Sequence, residues 1–408
     1  MFRIETRSRP SDSAKGGEIM AQAIITRKGG TSGGATITFD NISASIATAL
    51  SQARSHLAAT SIGSYALFAG GVIDAQFNVS STVDAYSMAL TRTTPTALSQ
   101  ARSYLAATSI GSYALFAGGY SASSTTDAYN TSLTRTTPTA LSQARSSLAA
   151  TSIGSYALFA GGNDSSSARS ATTDAYNTSL TRTTPTALSQ ARSGAAATSV
   201  GDYALFAGGS FTNVVDAYNT SLTRTTPTTL GEVKSRLAAT SVGDYALFAG
   251  GENNSSFSTY VNAYNTSLTR STPTSLSQAR VELAATNVGD YAIFGGGYST
   301  SVGASSTTDV YNTSLTRSTP TVLSQARYAL AAASIGNYAL FGGGKTLYSS
   351  GFLDTVDALF FSINLTLFPG TKYKLNDMVD EQTSSTFQTI SVSAPLNGYL
   401  KIQNAEIN

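Results

Sequence analysis

The sequence predicts an all-β chain of seven four-stranded antiparallel blades closing into a propeller, and three observations predict it. A double glycine recurs at 70–71, 118–119, 161–162, 208–209, 250–251, 296–297 and 343–344, each time ending a relative of the octet "SYALFAGG". Each pair is followed by "DAY" or a variant of it, at Asp84, Asp127, Asp174, Asp216, Asn262, Asp309 and Asp357. From each of the first six of those residues to the next glycine pair is always 34 positions, whereas 6 to 12 residues follow the glycines before the next Asp or Asn. All length variation sits in one segment per unit, as a surface loop on a rigid frame would allow.

The second unit, Ser103–Pro138, justifies the elements in order. "YLAATSI" before Gly111 predicts an inner strand of small residues and a tight turn, suited to the axis where blades converge. "YALFAG" predicts a second strand, apolar on both faces because both are covered. Tyr113, Leu115 and Phe116 would fill the wider space between neighbouring blades. After the variable loop, "TTDAYN" predicts a third strand, with Asn130 suited to the turn that follows. "SLTRTTPT" predicts a fourth strand, and Pro138, lacking a donor, belongs at its edge. A lone blade would leave both faces wet, so the array must close or be capped.

Composition bounds the function. Among 408 residues, charged side chains make up 12%, and the net charge of +2 with no basic stripe excludes a nucleic-acid partner. Aromatic content, with 21 tyrosines and 17 phenylalanines, supports packing rather than disorder. There is no cysteine, no apolar run of membrane-spanning length and no apolar core of a signal peptide in "MFRIETRSRPSDSAKGG". "KGGEIM" at 15–20 can be encoded by a purine-rich ribosome-binding sequence before ATG, so residues 1–19 read as a translated leader or disordered tail. Residues 20–49 read as an attachment or closure segment, 50–369 as the propeller and 370–408 as a C-terminal β segment. The outer strand of the seventh blade has two candidates, "INLTLFP" at 363–369 or "ISASIATALSQAR" ahead of the first unit.

The repeats resemble kelch motifs. The match lies in the double glycine ending the second strand, the downstream Asp-x-Tyr, the unit length near 50 residues and the arginine before the inner strand. It covers about 50–368 and departs at one point: kelch units carry a tryptophan after that tyrosine, and this chain has none, Leu133 and Arg135 standing near its place. The near-identity of the units is similar to kelch-like repeat proteins of bacterial and prophage genomes. "MAQAIITRKGG" resembles the start of phage tail-associated proteins. The resemblance implies a kelch-type propeller at a virion or cell surface, bound to other assembly proteins through its termini; without a phage setting the expected location is the cytoplasm.

Catalysis is not expected. The single histidine, His56, occupies a slot held by Tyr104, Ser147 and Gly194 in other units and reads as structural or exposed. The cysteine-linked tyrosine of kelch-fold copper oxidases and the aspartate boxes of propeller sialidases have no counterpart, and no metal or cofactor is expected. Asp202, Asp244 and Asp290 read as turn residues, and the "NTS" triplets at Asn130, Asn177, Asn219, Asn265 and Asn312 as strand-connecting turns that also match a glycosylation sequon. A rival reading, a glycan-degrading enzyme, would need carboxylates such as Asp74, Asp164 or Glu252 to converge.

Two features point to binding. A ring of cations, Arg54, Arg102, Arg145, Arg192, Lys234, Arg280 and Arg327, precedes the inner strands; these would bond loop carbonyls or meet a ligand near the axis. The b–c loops, between second and third strands, mix aromatic with small polar residues, the composition of adaptable binding loops. Their candidates are Phe77, Tyr120, Arg169, Phe211, Phe257, Tyr260, Tyr298, Tyr348 and Phe352. The expectation is a non-enzymatic propeller that recognises a protein or glycan on a cell surface through one face. A ligand-free structural role is the alternative.

Overall fold

Alternation of small and β-branched residues sets the inner strand of the second blade, Ala106–Ile110: Ala106, Thr108 and Ile110 are buried, while Ala107 and Ser109 are half-buried. Strands b (Tyr113–Ala117) and c (Thr126–Asn130) are buried along nearly their whole length, as strands covered on both faces must be. In this computed structural model all described elements are strands, over residues 2–3, 36–120, 122–346, 351–367, 371–374, 382–383, 388–392 and 401–404. They form two compact units, Ala44–Leu359 and Met1–Ser43 with Phe360–Asn408.

The first unit is a seven-bladed propeller of four-stranded antiparallel blades. Its outer strands are shorter than "SLTRTTPT" suggested, only Arg135–Thr136 in the second blade. The preceding residues are spent on a turn: the Asn130 Oδ1 accepts the Ser132 and Thr134 N–H groups at 3.0 and 2.9 Å, and Leu133 takes φ 59°. Pro138 falls two residues past the strand, where no ladder donor is needed.

Blades join through the glycines. The Gly119 N–H donates to the Arg145 carbonyl of the next blade at 2.8 Å. The same bond recurs six more times around the ring and ends with Gly344 N–H on the Arg54 carbonyl, also 2.8 Å. Gly118, at φ 71°, tolerates no side chain, since a Cβ would sit 2.6 Å from both the Arg145 carbonyl and Leu148 Cδ2. Between blades lie apolar clusters: Leu67, Val83 and Leu98 of the first blade meet Leu105, Phe116 and Tyr129 of the second. Leu115 packs the opposite way, against the third blade. Leu340 and Val356 of the seventh blade meet Leu57, Phe68 and Tyr86 of the first, so the ring closes on the same chemistry. Each buried Leu or Phe contributes roughly 1.5–3 kcal/mol, and the repetition makes this the dominant stabilising term.

The tyrosine of strand c adds direction. Tyr129 stands edge-on to Phe116 at 6.0 Å and donates its hydroxyl to the Thr96 carbonyl at 2.7 Å. Blade seven has Leu359 in this place, and there the Thr308 hydroxyl donates to the Thr321 carbonyl directly. A half-buried carbonyl is thus kept paired although its usual donor is missing.

The seventh blade combines Ala331–Ile335, Tyr338–Gly342 and Val356–Leu367, and Thr36–Ala47 takes the outer place beside the last. The N-terminal candidate therefore supplies the end of this strand, residues 42–47, and the strand begins ahead of it at Thr36. Ile363–Leu367 instead prolongs strand c and pairs with Gln388–Val392. The second unit also holds a four-stranded sheet in the order Phe2–Arg3, Lys401–Asn404, Thr371–Lys374, Gln382–Thr383. No helix long and apolar enough to cross a membrane occurs among the described residues.

Candidate functional site

The seven cations of the predicted ring are directed inward. All seven are fully buried. Arg102 Nη2 donates to Asp127 Oδ2 at 2.5 Å and to the Phe116 carbonyl at 3.1 Å, and Nη1 to the Gly118 carbonyl at 3.0 Å. Arg135 of strand d reaches the other carboxylate oxygen at 3.3 Å, as does the Ser99 N–H at 3.1 Å. Burial pushes the Arg102 pKa down and Asp127 opposes it. Equivalent pairs are Arg54–Asp84, Arg145–Asp174, Arg192–Asp216, Arg280–Asp309 and Arg327–Asp357. These guanidinium groups are committed to the blade interior, where a surface ligand does not reach them.

Blade five departs in a correlated way. Lys234 replaces the arginine, Asn262 the aspartate, and Glu232 the glutamine that other blades carry two residues before the cation. Lys234 Nζ donates to the Tyr260 carbonyl at 2.8 Å and lies 3.6 Å from Glu232. The carboxylate has moved, and the formal charge of the set is unchanged. Burial lowers the lysine to about 8, with Glu232 pulling the other way.

A second ring surrounds the axis one step beyond the cations, at His56, Tyr104, Ser147, Gly194, Arg236, Glu282 and Ala329. All seven adopt left-handed backbone, φ 51° to 64°. Each N–H donates to the carbonyl of its counterpart in the adjacent blade: Tyr104 to His56 at 3.0 Å, Ser147 to Tyr104 at 2.9 Å, and so on until His56 donates to Ala329 at 2.8 Å. The circle of backbone bonds is complete. Adjoining residues bridge to the b–c loops, as Ser55 to Val72, Ser103 to Tyr120 and Val281 to Tyr298, so ring and loops share one face.

The side chains on this ring differ from blade to blade, and those of blades five, six, one and two come together. The Arg236 Nε donates to Glu252 Oε1 at 2.8 Å, its Nη2 to Glu252 Oε2, and its Nη1 to Glu282 Oε1 at 3.0 Å. Glu282 Oε2 lies 3.9 Å from His56 Nε2, and the imidazole stacks on Tyr104 with centroids 4.2 Å apart. Beside them runs an aromatic row: Phe257 to Tyr298 at 6.0 Å, Tyr298 to Tyr328 at 5.3 Å, and Lys345 Nζ 5.0 Å above Tyr328. Burial holds His56 near a pKa of about 3, helped by the cations of Lys345 and Arg236. Burial and Glu282 raise Tyr104 to about 12. Both rings are therefore neutral at physiological pH.

The loop candidates divide. Phe257 and Tyr298 join this row. Phe77, Tyr120, Phe211 and Tyr260 are exposed on four different blades, Phe77 and Phe211 at φ 61° and 58°. Arg169 is exposed and Phe352 half-buried beside Lys345; Tyr348 lies outside the described residues. The carboxylates of the enzyme reading do not converge. Asp74 and Asp164 cap their own loop turns, accepting Asn78 and Ala168 N–H groups, and Glu252 is taken by Arg236. Asp202, Asp244 and Asp290 are exposed in the a–b turns of blades four to six. Among the described residues no three His, Asp or Glu side chains are grouped to hold a metal ion. The axial ring is what sequence reasoning missed. Its signal was present, since His, Tyr, Ser, Gly, Arg, Glu and Ala share one slot inside an otherwise repeated stretch. No protein-family model and no curated protein matches this chain.

Proposed function

We propose that this chain is a non-catalytic binding propeller of kelch type that engages a protein or glycan partner through the face carrying the b–c loops and the axial ring, at a virion or cell surface. The observation that carries the reading is where the blades differ. Their frame repeats almost residue for residue, length changes only in the b–c loop of each blade, and the widest changes of side-chain identity fall at one ring slot and in that loop, on a single face; elsewhere the changes are narrow, as between Ser, Asp and Asn in the a–b turns. A frame that only filled space would have no physical reason to concentrate its differences there. Phe77 adds to this, because a bulky residue in left-handed backbone carries strain, and at 60% exposure it has little burial to offset it. Phe77 shares its turn with Ser167 of blade three, built on Asp164 as Phe77's is on Asp74, so the turn itself does not require the ring. The kelch assignment is supported by the glycine pairs and the Arg–Asp–Tyr set, and the virion setting by the N-terminal resemblance.

The test is a combined Phe77→Ser, Phe211→Ser, Tyr260→Ser variant, compared with the parent on a panel of bacterial envelopes. The parent is expected to be retained by at least one envelope and the variant at least tenfold less, with the thermal midpoint unchanged. Equal retention would overturn the reading, as would turnover of the envelope glycans by the parent.

A further inference from the structure

We infer that the axial ring carries a subsite for an uncharged saccharide, seated between the Glu252–Arg236–Glu282 cluster and the Tyr298–Tyr328 row. The inference rests on the binding reading above and names the ligand class of one place on that face.

The chemistry narrows by elimination. Arg236 spends Nε and Nη2 on Glu252 and Nη1 on Glu282, so its charge is already met by two carboxylates and offers little to a phosphate or a ligand carboxylate. Arg236 and Lys345 balance Glu252 and Glu282, and the neutral His56 adds no charge, so nothing favours an ion. A peptide strand is disfavoured too, because the seven N–H groups of the ring are all paired with neighbouring ring carbonyls. Two carboxylates pinned by one guanidinium keep lone pairs available, and carboxylate oxygens accept from hydroxyl donors. Tyr298 and Tyr328, with Lys345 over the latter, add aromatic surface beside them. A ligand offering several O–H donors and an apolar C–H face matches that pairing, and a neutral sugar has both. His56, stacked on Tyr104, stands 3.9 Å from Glu282 at the border of the cluster.

The ring supplies its own controls. Ser147 and Ala329 occupy the slot in sister blades with the same backbone, so His56→Ala, Arg236→Ser and Glu282→Ala have precedent within the molecule. The experiment applies the full chain to an array of neutral oligosaccharides ending in glucose, galactose, mannose or N-acetylglucosamine, beside sialylated, sulfated and phosphorylated counterparts, with Kd values by calorimetry. At least one neutral oligosaccharide should bind, at least tenfold more weakly to the triple ring variant and equally to Asp202→Ser, a change in an exposed a–b turn whose slot is already serine at Ser155 of blade three. A readout free of substitution is the NMR signal of the one imidazole, which should shift on titration with the bound sugar. No neutral sugar bound, binding confined to anionic glycans, or binding indifferent to the ring variant would each overturn the subsite. If an envelope still retains the parent and releases the loop variant while no neutral sugar binds, the subsite alone falls and the binding propeller stands.

Discussion

His56 shows how one residue's surroundings decide its chemistry. A histidine alone in a sequence invites a role as acid, base or metal ligand. Here burial dominates, the cations of Arg236 and Lys345 add to it, Glu282 stands 3.9 Å away, and the imidazole is held neutral with a pKa of about 3. A folded pKa below the unfolded value of about 6.5 means that the unfolded chain binds more protons between those values. Stability is therefore lost as pH falls from about 6.5 toward 3. Against a His56→Ala variant, the parent should lose roughly 3 kcal/mol on going from pH 7 to pH 4, read by denaturant titration. The imidazole NMR shifts should stay at their neutral values down to pH 4.5; a midpoint near 6 would refute the assignment.

At the scale of the element, a blade is a buried ionic set wrapped in strands. Removing one partner of such a set costs about 3–5 kcal/mol, because it strands a charge. Blade five avoids that cost by changing Lys234, Asn262 and Glu232 together. Restoring the usual pair piecemeal should therefore be worse than restoring it whole. Lys234→Arg alone places a guanidinium opposite Asn262, whereas Lys234→Arg with Asn262→Asp rebuilds the arrangement of Arg102 and Asp127. A double-mutant cycle should give a favourable coupling of about 1–3 kcal/mol, and additivity would contradict the arrangement. The pH profile is a second check. Lys234 is depressed to about 8 when folded, so the parent should gain stability relative to the double variant as pH rises from 8 toward 10.5, where only the unfolded lysine still holds its proton.

For the whole molecule, closure of the ring is the decisive event. Seven Gly-to-carbonyl bonds and seven ring-slot bonds each run from blade to blade and return to the first. The seventh blade is the exception among like units, since its outermost place is held by Thr36–Ala47 rather than by residues that follow it. Deleting residues 1–47 should lower the thermal midpoint by on the order of 10 °C, given a loss of a few kcal/mol in a domain of this size. It should also expose the edge beside Val356–Leu367 to association between chains, seen as growth in light-scattering mass. An unchanged midpoint and mass would show that closure does not need this strand.

Much of this was legible in the residues alone. Glycine pairs at fixed distance from Asp-x-Tyr, with small residues before and β-branched residues after, determine a four-stranded antiparallel blade, because period-two patterning and turn chemistry act within one unit. Seven copies determine the number of blades. The sequence also located the variable loops, since only exposed backbone accepts changes in length. Direction was not legible. Whether Arg102 faces a ligand or Asp127 depends on how strand a is rotated against strands b to d. Likewise Ile363–Leu367 echoes an outer strand, yet its place was settled by pairing with Gln388–Val392. The ring of His56, Tyr104, Arg236 and Glu282 exists only after closure, because its members are tens to hundreds of residues apart and meet where the axes of seven blades converge. Local pattern fixes what repeats; the meeting of side chains that do not repeat is decided by the closed ring.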